Sequence, residues 1–408
     1  MRWRIISQIT AKEVLSTLRD RRAIVSNLLL PLVLLPVIML GLPLLLGSLF
    51  NREQASETPL AVENLAELPP ELGEQLALAN VEPYAQDDPE AAVRNEEADV
   101  GLTVPAGMVQ RLSEGEQVEV VLYSKQGNLE AEVAVSKVRR AVDAFRQELV
   151  SQRLRRAGLD PSLLEPVSVQ AVDASTVAER SSGQLSWIIP FFIAIWTLVG
   201  GQMTAIDATA GEKERGTLES LLVAPVKRSE VVVGKFLATM LFGLSAAVMA
   251  ILGYVAGGTI LRGLVTSRLG GDGAEIVELL GGSLQVTPSS VILLLLSTLL
   301  LAATLAALLL GVTMFARSFK EAQSYVAPLS FLLILPVMAL QFADLLELGV
   351  GVYLVPVVNV LLLMDEIVTG GARAASVALT WGSLIVVIVV LLALALRNFS
   401  RERVIFRT

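Results

Sequence analysis

The sequence predicts an α-helical polytopic membrane protein: six transmembrane helices, with an α/β domain inserted between the first and second. Three observations carry that prediction. The 408 residues are 53% hydrophobic, too apolar for an ordinary soluble protein. The apolar residues gather in runs that approach or exceed the roughly 20 residues a helix needs to cross a bilayer. Residues 50–184 break the pattern with 24 acidic and 12 basic side chains, against 16 and 20 elsewhere. An acidic water-facing domain on a mildly basic membrane body follows, and nucleic-acid binding does not fit that balance. The chain holds no Cys and no His. The inserted domain therefore folds without disulfides, and His/Cys zinc sites, Ser-His triads and a His-based pH switch are excluded.

Residues 2–22 place Ile6, Ile9, Val14, Leu15 and Leu18 at roughly helical spacing and end in Arg19, Arg21 and Arg22. They read as an interfacial helix on the inner leaflet, or as a basic flank that sets orientation. A signal peptide does not fit, because the following apolar run is long and lacks a small-residue cleavage site. Residues 23–49 form the first span, bent by Pro31, Pro36 and Pro43. Within the domain, strand-like alternation appears at Ala98–Val104, Val118–Tyr123 and Val167–Val172, and helical patterns at Glu71–Ala79, Pro105–Glu114 and Leu129–Ala157. A small mixed sheet with helices is expected. Along the longest helix Val135, Val138, Val142, Phe145 and Leu149 share one face. Arg139, Arg140, Arg146 and Arg153 lie elsewhere, facing solvent, lipid or a partner.

Residues 185–206 form the second span, with Trp187 as an interfacial anchor and Asp207 closing it. Residues 231–258, 291–316, 326–343 and 375–396 supply spans three to six. Lys235 lies near a membrane boundary, where its side chain is expected to snorkel to water. Residues 344–374 contain Val350–Met364, apolar but too short to cross and interrupted by Pro356, which suggests a re-entrant or interfacial segment. Asp344 and Glu347 before it and Asp365 and Glu366 after it either attract cations at an outer exit or cap short helices. Residues 397–408 form a basic tail.

With both termini inside, the inner segments hold 16 Lys or Arg and the short outer loops only Arg262, Arg268 and Arg373. That asymmetry orients the chain as a multi-pass protein of the cell inner (cytoplasmic) membrane, with both termini cytoplasmic and the inserted domain outside.

The loop at 207–230 then lies inside. In it, Gly216 lets the chain bend, Thr217 can cap a helix, and Leu218, Leu221 and Leu222 line one face before Pro225 ends it. A short amphipathic helix over Thr217–Val223 fits a groove on a partner, or is an ordinary turn between spans.

The pattern EKERGTLESLLVAPV, followed by the Gly234–Lys235 pair, resembles the first cytoplasmic loop of ABC-2 type transporter permeases. The RDRR flank at 19–22 resembles that family's N-terminus. The likeness is greatest to the sodium-exporter (Nat-type) branch, which carries a large outside domain after the first span. The resemblance implies that the short helix couples the permease to its ATPase through Glu212, Glu214, Arg215, Gly216, Thr217, Leu218, Glu219, Leu222, Pro225, Gly234 and Lys235. It implies re-entrant elements that shape an outer exit, here at Asp365 and Glu366. It also implies an assembly of two permeases with two ATPases.

No GxxxxGK[ST] motif occurs, so ATP and Mg are expected on a partner subunit, with no cofactor, metal or catalytic residue in this chain. Expected partners are that ATPase, a second permease copy and the bilayer. Sodium, a drug or a lipid-like molecule are the cargo classes that the resemblance suggests. An ion-driven secondary transporter, a membrane-anchored sensor or an intramembrane enzyme using Asp365 and Glu366 are the alternatives. Activity that depends on a co-expressed ATPase separates the first reading from the others.

Overall fold

The computed structural model describes residues 2–125, 127–164, 174, 187–217, 225–268, 288–340 and 349–399. It divides into two compact units, Met1–Leu42 with Ala174–Thr408, and Pro43–Asp173.

Helix α1 (Trp3–Arg19) stops at Asp20, whose carboxylate accepts from the Arg22 backbone N–H at 2.8 Å and caps α2 (Arg21–Ile24). A π-helical turn, Val25–Leu29, leads into α3 (Leu30–Ala55), which contains Pro31, Pro36 and Pro43. A proline crowds the carbonyl four residues before it, and the widened turn lies where Pro31 requires that room.

The Pro43–Asp173 unit contains β1 (Thr58–Glu63), α4 (Pro70–Leu78), β2 (Val81–Ala85), α5 (Pro89–Arg94), β3 (Val100–Thr103), α6 (Met108–Ser113), β4 (Val121–Ser124) and α7 (Leu129–Arg156). The sheet runs β2-β1-β3-β4. β1 pairs parallel with β2 and β3, and β3 pairs antiparallel with β4, so the sheet is mixed. Leu60, Val62, Val100 and Leu102 meet Leu72 and Leu76 of α4 and Ala134, Val138 and Ala141 of α7. Ala61 joins Ala92 and Val93 of α5 in a second cluster. That alternation along β1 is the period of two that a strand imposes. Gly101 is required for the close approach of α5, since a Cβ there would lie 2.8 Å from Pro89.

Two strands escape the sequence reading for physical reasons. β2 contains Pro83, which argues against a strand unless that strand lies at a sheet edge, as β2 does. β1 is buried on both faces and shows no clean alternation of polar and apolar residues. The strand expected at Val167–Val172 lies outside the described residues.

The second span is α8 (Ile188–Ile206), which continues through a π-helical turn, Asp207–Gly211, to Glu212–Glu214. Asp207 therefore does not close the span. Its side chain accepts from Arg215 Nη1 at 2.8 Å, and the helix runs on beneath that bond. Gly216, at φ 68°, ends it in the left-handed region that glycine alone enters freely.

Helix α9 (Arg228–Arg268) forms the third span, beginning three residues before the expected Val231 and continuing ten beyond Gly258. Helices α10 (Pro288–Thr313) and α11 (Phe319–Leu340) follow. The apolar run at 350–364 splits into a 3-10 turn, Val350–Leu354, and buried α12 (Val358–Thr369). Helix α13 (Ala374–Phe399) is last. Among the described residues six helices are long and apolar enough to cross a membrane, and the second, third and fourth are the most buried. Small residues bring α8 and α9 together. A Cβ on Gly200 would lie 2.4 Å from that of Ala246, and one on Gly243 would lie 2.8 Å from the Thr197 carbonyl.

Candidate functional site

Helix α1 lies along the start of α9, and the Gly234–Lys235 pair explains why. A Cβ on Gly234 would stand 2.7 Å from Ile9 Cγ2, so glycine admits α1 at this depth. Thr10 Oγ1 donates to the Gly234 carbonyl at 3.2 Å. The Lys235 side chain is 3% exposed, contrary to the expected snorkelling to water. Its Nζ donates to Glu13 Oε1 at 2.9 Å, Glu212 Oε2 at 2.5 Å and the Ala208 carbonyl at 2.6 Å. All three ammonium hydrogens thus have acceptors, which is what makes burial of the charge tolerable. Lys12 closes the cluster from the half-exposed side, donating to Glu13 Oε1 at 3.1 Å and to Glu212 Oε1. Burial opposes the Lys12 charge, but the hydrogen bond to Glu212 and the attraction of both carboxylates outweigh it and raise its pKa. Two ammonium groups face two carboxylates, and the formal charges cancel.

Lys12 and Glu13 are the members that sequence reasoning missed. The buried face of α1 is Ile6, Ile9, Glu13 and Thr17, whereas Leu15 and Leu18, expected on the apolar face, are exposed. The available signal was a carboxylate at i+7 from Ile6 and i+4 from Ile9, on the stripe itself.

A second clasp holds the other end of α1. Glu230 is fully buried and accepts from Arg2 N at 2.9 Å, Arg2 Nε at 3.2 Å, Arg2 Nη2 at 3.0 Å and the Lys227 backbone N–H at 3.0 Å. Arg2 Nη2 also donates to the Pro225 carbonyl at 2.8 Å. The carboxylate therefore satisfies backbone donors at the starts of both α1 and α9.

The neighbours of Glu212 serve other helices. Lys213 Nζ donates to the Met314 carbonyl and, at 3.2 Å, to that of Ala316, just beyond the C-terminus of α10. Glu214 Oε2 accepts from the Phe319 N–H at 2.8 Å, at the N-terminus of α11. A cation at a helix C-terminus and an anion at an N-terminus both suit the helix dipole. Thr217 Oγ1 donates back to the Glu212 carbonyl at 3.3 Å.

The structure thus brings Glu212 and Lys235 into one cluster, with Gly234 admitting α1 beside them. Glu214, Arg215, Gly216 and Thr217 form the exposed end of the second-span helix, and Pro225 lies under Arg2. Leu218, Glu219 and Leu222, and Asp344 and Glu347 of the expected outer exit, lie outside the described residues. Asp365 and Glu366 stand apart on α12. They do not cap it, since the helix runs from Val358 to Thr369, with Gly370 as the residue that ends it. Glu366 Oε1 accepts from the Tyr353 hydroxyl, and Asn359 Nδ2 donates to the Tyr353 carbonyl at 3.1 Å and to Ser383 Oγ at 2.6 Å. These bonds fasten the 3-10 turn to α12 and α13. Among the described residues no group of three or more Asp or Glu is placed to hold a metal ion.

Fold and site define a multi-pass helical membrane protein that concentrates its charged contacts where the loop at 207–230 joins the second and third spans. The family of ABC-2 family transporter proteins matches residues 28–397, and the chain belongs to that family. It is the permease subunit of an ABC transporter. It is similar to the ABC transporter permease protein NatB of Bacillus subtilis (strain 168), with 29% identity over 404 residues, covering 98% of this chain and 99% of that one.

Proposed function

We propose that this permease exports its cargo when a separate ATPase subunit, holding ATP and Mg, pushes on the loop between the second and third spans. The observation that carries this reading is the clasp around that loop. Its beginning is tied to α1 and α9 through Glu212, and to the α10–α11 turn through Lys213 and Glu214. Its end is tied to α1 through Arg2, Glu230 and Pro225. A displacement of Thr217–Val223 is therefore delivered to five helices at once. Glu214, Arg215, Gly216, Thr217, Leu218, Glu219 and Leu222 are the residues offered to the ATPase. Glu212, Gly234 and Lys235 act behind them, anchoring the loop.

The loop and both termini face the cytoplasm in this reading, which the excess of Lys and Arg on that side supports. Two copies, or this chain and a close paralogue, would enclose the path, with Asp365 and Glu366 near its outer exit. Sodium is the cargo that the Nat-type resemblance favours, and efflux of sodium compared with a lipophilic dye from vesicles discriminates it from an amphipathic substrate. Leu222→Asp or Glu219→Arg is expected to release the ATPase during purification. A variant that retains the ATPase and turns over normally would refute the coupling role. Because the chain has no Cys, single introduced cysteines at Gln8 and Glu116, labelled from either side of the membrane, report orientation without background.

A further inference from the structure

Lys137 is among the largest fully buried side chains, 1% exposed, and neither the ion cluster nor the loop uses it. It sits on α7 beside Ala134, Val138 and Ala141, in the face that packs on the sheet, where an apolar residue would serve burial better. Its Nζ donates to the Glu53 carbonyl at 2.6 Å, the Ser56 carbonyl at 2.8 Å and Thr58 Oγ1 at 2.9 Å. Glu53 belongs to the last turn of α3, Ser56 follows that helix, and Thr58 begins β1.

The last carbonyls of a helix have no partner within it and need one from elsewhere. Ser56 helps itself, its N–H donating to the Arg52 carbonyl and its Oγ to the Glu53 carbonyl, both at 2.8 Å. Lys137 adds a second donor to the Glu53 carbonyl and reaches on to the Ser56 carbonyl and Thr58 Oγ1 just beyond the helix. Three donors meet three acceptors that span the junction between α3 and β1.

We propose that Lys137 is a latch that locks the end of α3, the helix leading in from the first span, onto α7. With the latch closed, tilt or rotation of the last turn of α3 is delivered to α7 and the sheet. With it open, residues 56 and 57 absorb the movement as a hinge. The inference stands on the junction alone and holds whatever cargo or energy source the permease uses.

The test is a distance measurement on the full-length protein in lipid nanodiscs. Spin labels go on Arg52→Cys and Arg139→Cys, exposed positions on α3 and α7, in a chain with no other cysteine. A second pair, Glu74→Cys with Arg139→Cys, reports the domain core. With Lys137 present both pairs are expected to give narrow distributions. Lys137→Met is expected to widen the 52–139 distribution at least twofold and leave the 74–139 pair unchanged. Should Lys137→Met fail to fold, Lys137→Gln, too short to reach the carbonyls, replaces it with the same expectation. An unaltered 52–139 distribution, or equal widening of both pairs as in a general core defect, would overturn the proposal.

Discussion

Replacing Lys235 by Met removes the cation that two carboxylates, each 4% exposed, are built around. The methionine fills nearly the same volume, so the effect is electrostatic and not a cavity. Three hydrogen bonds vanish, at 2.9, 2.5 and 2.6 Å, and Glu13 and Glu212 are left facing one another. Removing one partner of a buried ion pair typically costs about 3–5 kcal/mol. Lys12 still reaches both carboxylates, which sets the expectation near the lower end, about 3 kcal/mol. On a scale of about 2–4 °C per kcal/mol for domains of 150–250 residues, the midpoint of thermal unfolding should fall by roughly 6–12 °C. Lys12→Met is the control. Its side chain is 54% exposed, so solvent screens that side of the cluster and its loss should cost less than the loss of Lys235. Adding Glu13→Gln to Lys235→Met leaves one carboxylate for Lys12 to neutralise and should recover part of the loss. The assay is thermal unfolding of the detergent-purified protein. The reasoning fails if Lys235→Met unfolds at the parent temperature, or if Lys12→Met is the more damaging change.

Three further outcomes are expected. Gly234→Val drives a side chain into Ile9, whose Cγ2 lies 2.7 Å from the position of a Cβ; α1 should lift from α9, seen as faster proteolysis within residues 3–19. Gly200→Val should separate α8 from α9 at a cost of about 1–3 kcal/mol or more from overpacking, read as lower thermal stability, with Ala246→Gly giving partial relief. In the inserted domain, Lys125 hydrogen-bonds Glu96 at 2.8 Å and attracts its charge, holding that carboxyl below the ordinary glutamate value. The stabilisation from this pair is complete above the ordinary value of about 4.3 and is lost as pH falls through the lowered one. In Lys125→Gln, the NMR titration of Glu96 should move up to that ordinary value.

Much of the architecture was legible residue by residue. Six spans follow from apolar runs because the bilayer requires each helix to satisfy its own backbone and expose apolar side chains, a condition met locally. Strands β3 and β4 and helices α4 and α7 follow from short periodic patterns. The misses share a cause. Asp207 reads as a stop signal because its bond to Arg215, one residue short of Gly216, depends on the helix continuing. Pro83 hides β2 because edge placement is a property of the finished sheet. Nothing in the sequence singles out Lys137 on a charged helix until the end of α3 is set against it.

The amino-acid sequence alone determined the class of the molecule: its spans, its inserted domain, its charge asymmetry, and a loop whose motif marks the ABC-2 family. The tertiary structure decided which charges are spent on one another. Glu13 and Lys235 are 222 residues apart and Arg2 and Glu230 are 228 apart. A lone carboxylate on an amphipathic helix looks like surface until a glycine on another helix lets that helix in. Hydrophobicity is summed over neighbours in the chain, whereas an ion pair exists only between groups that folding has brought within about 4 Å.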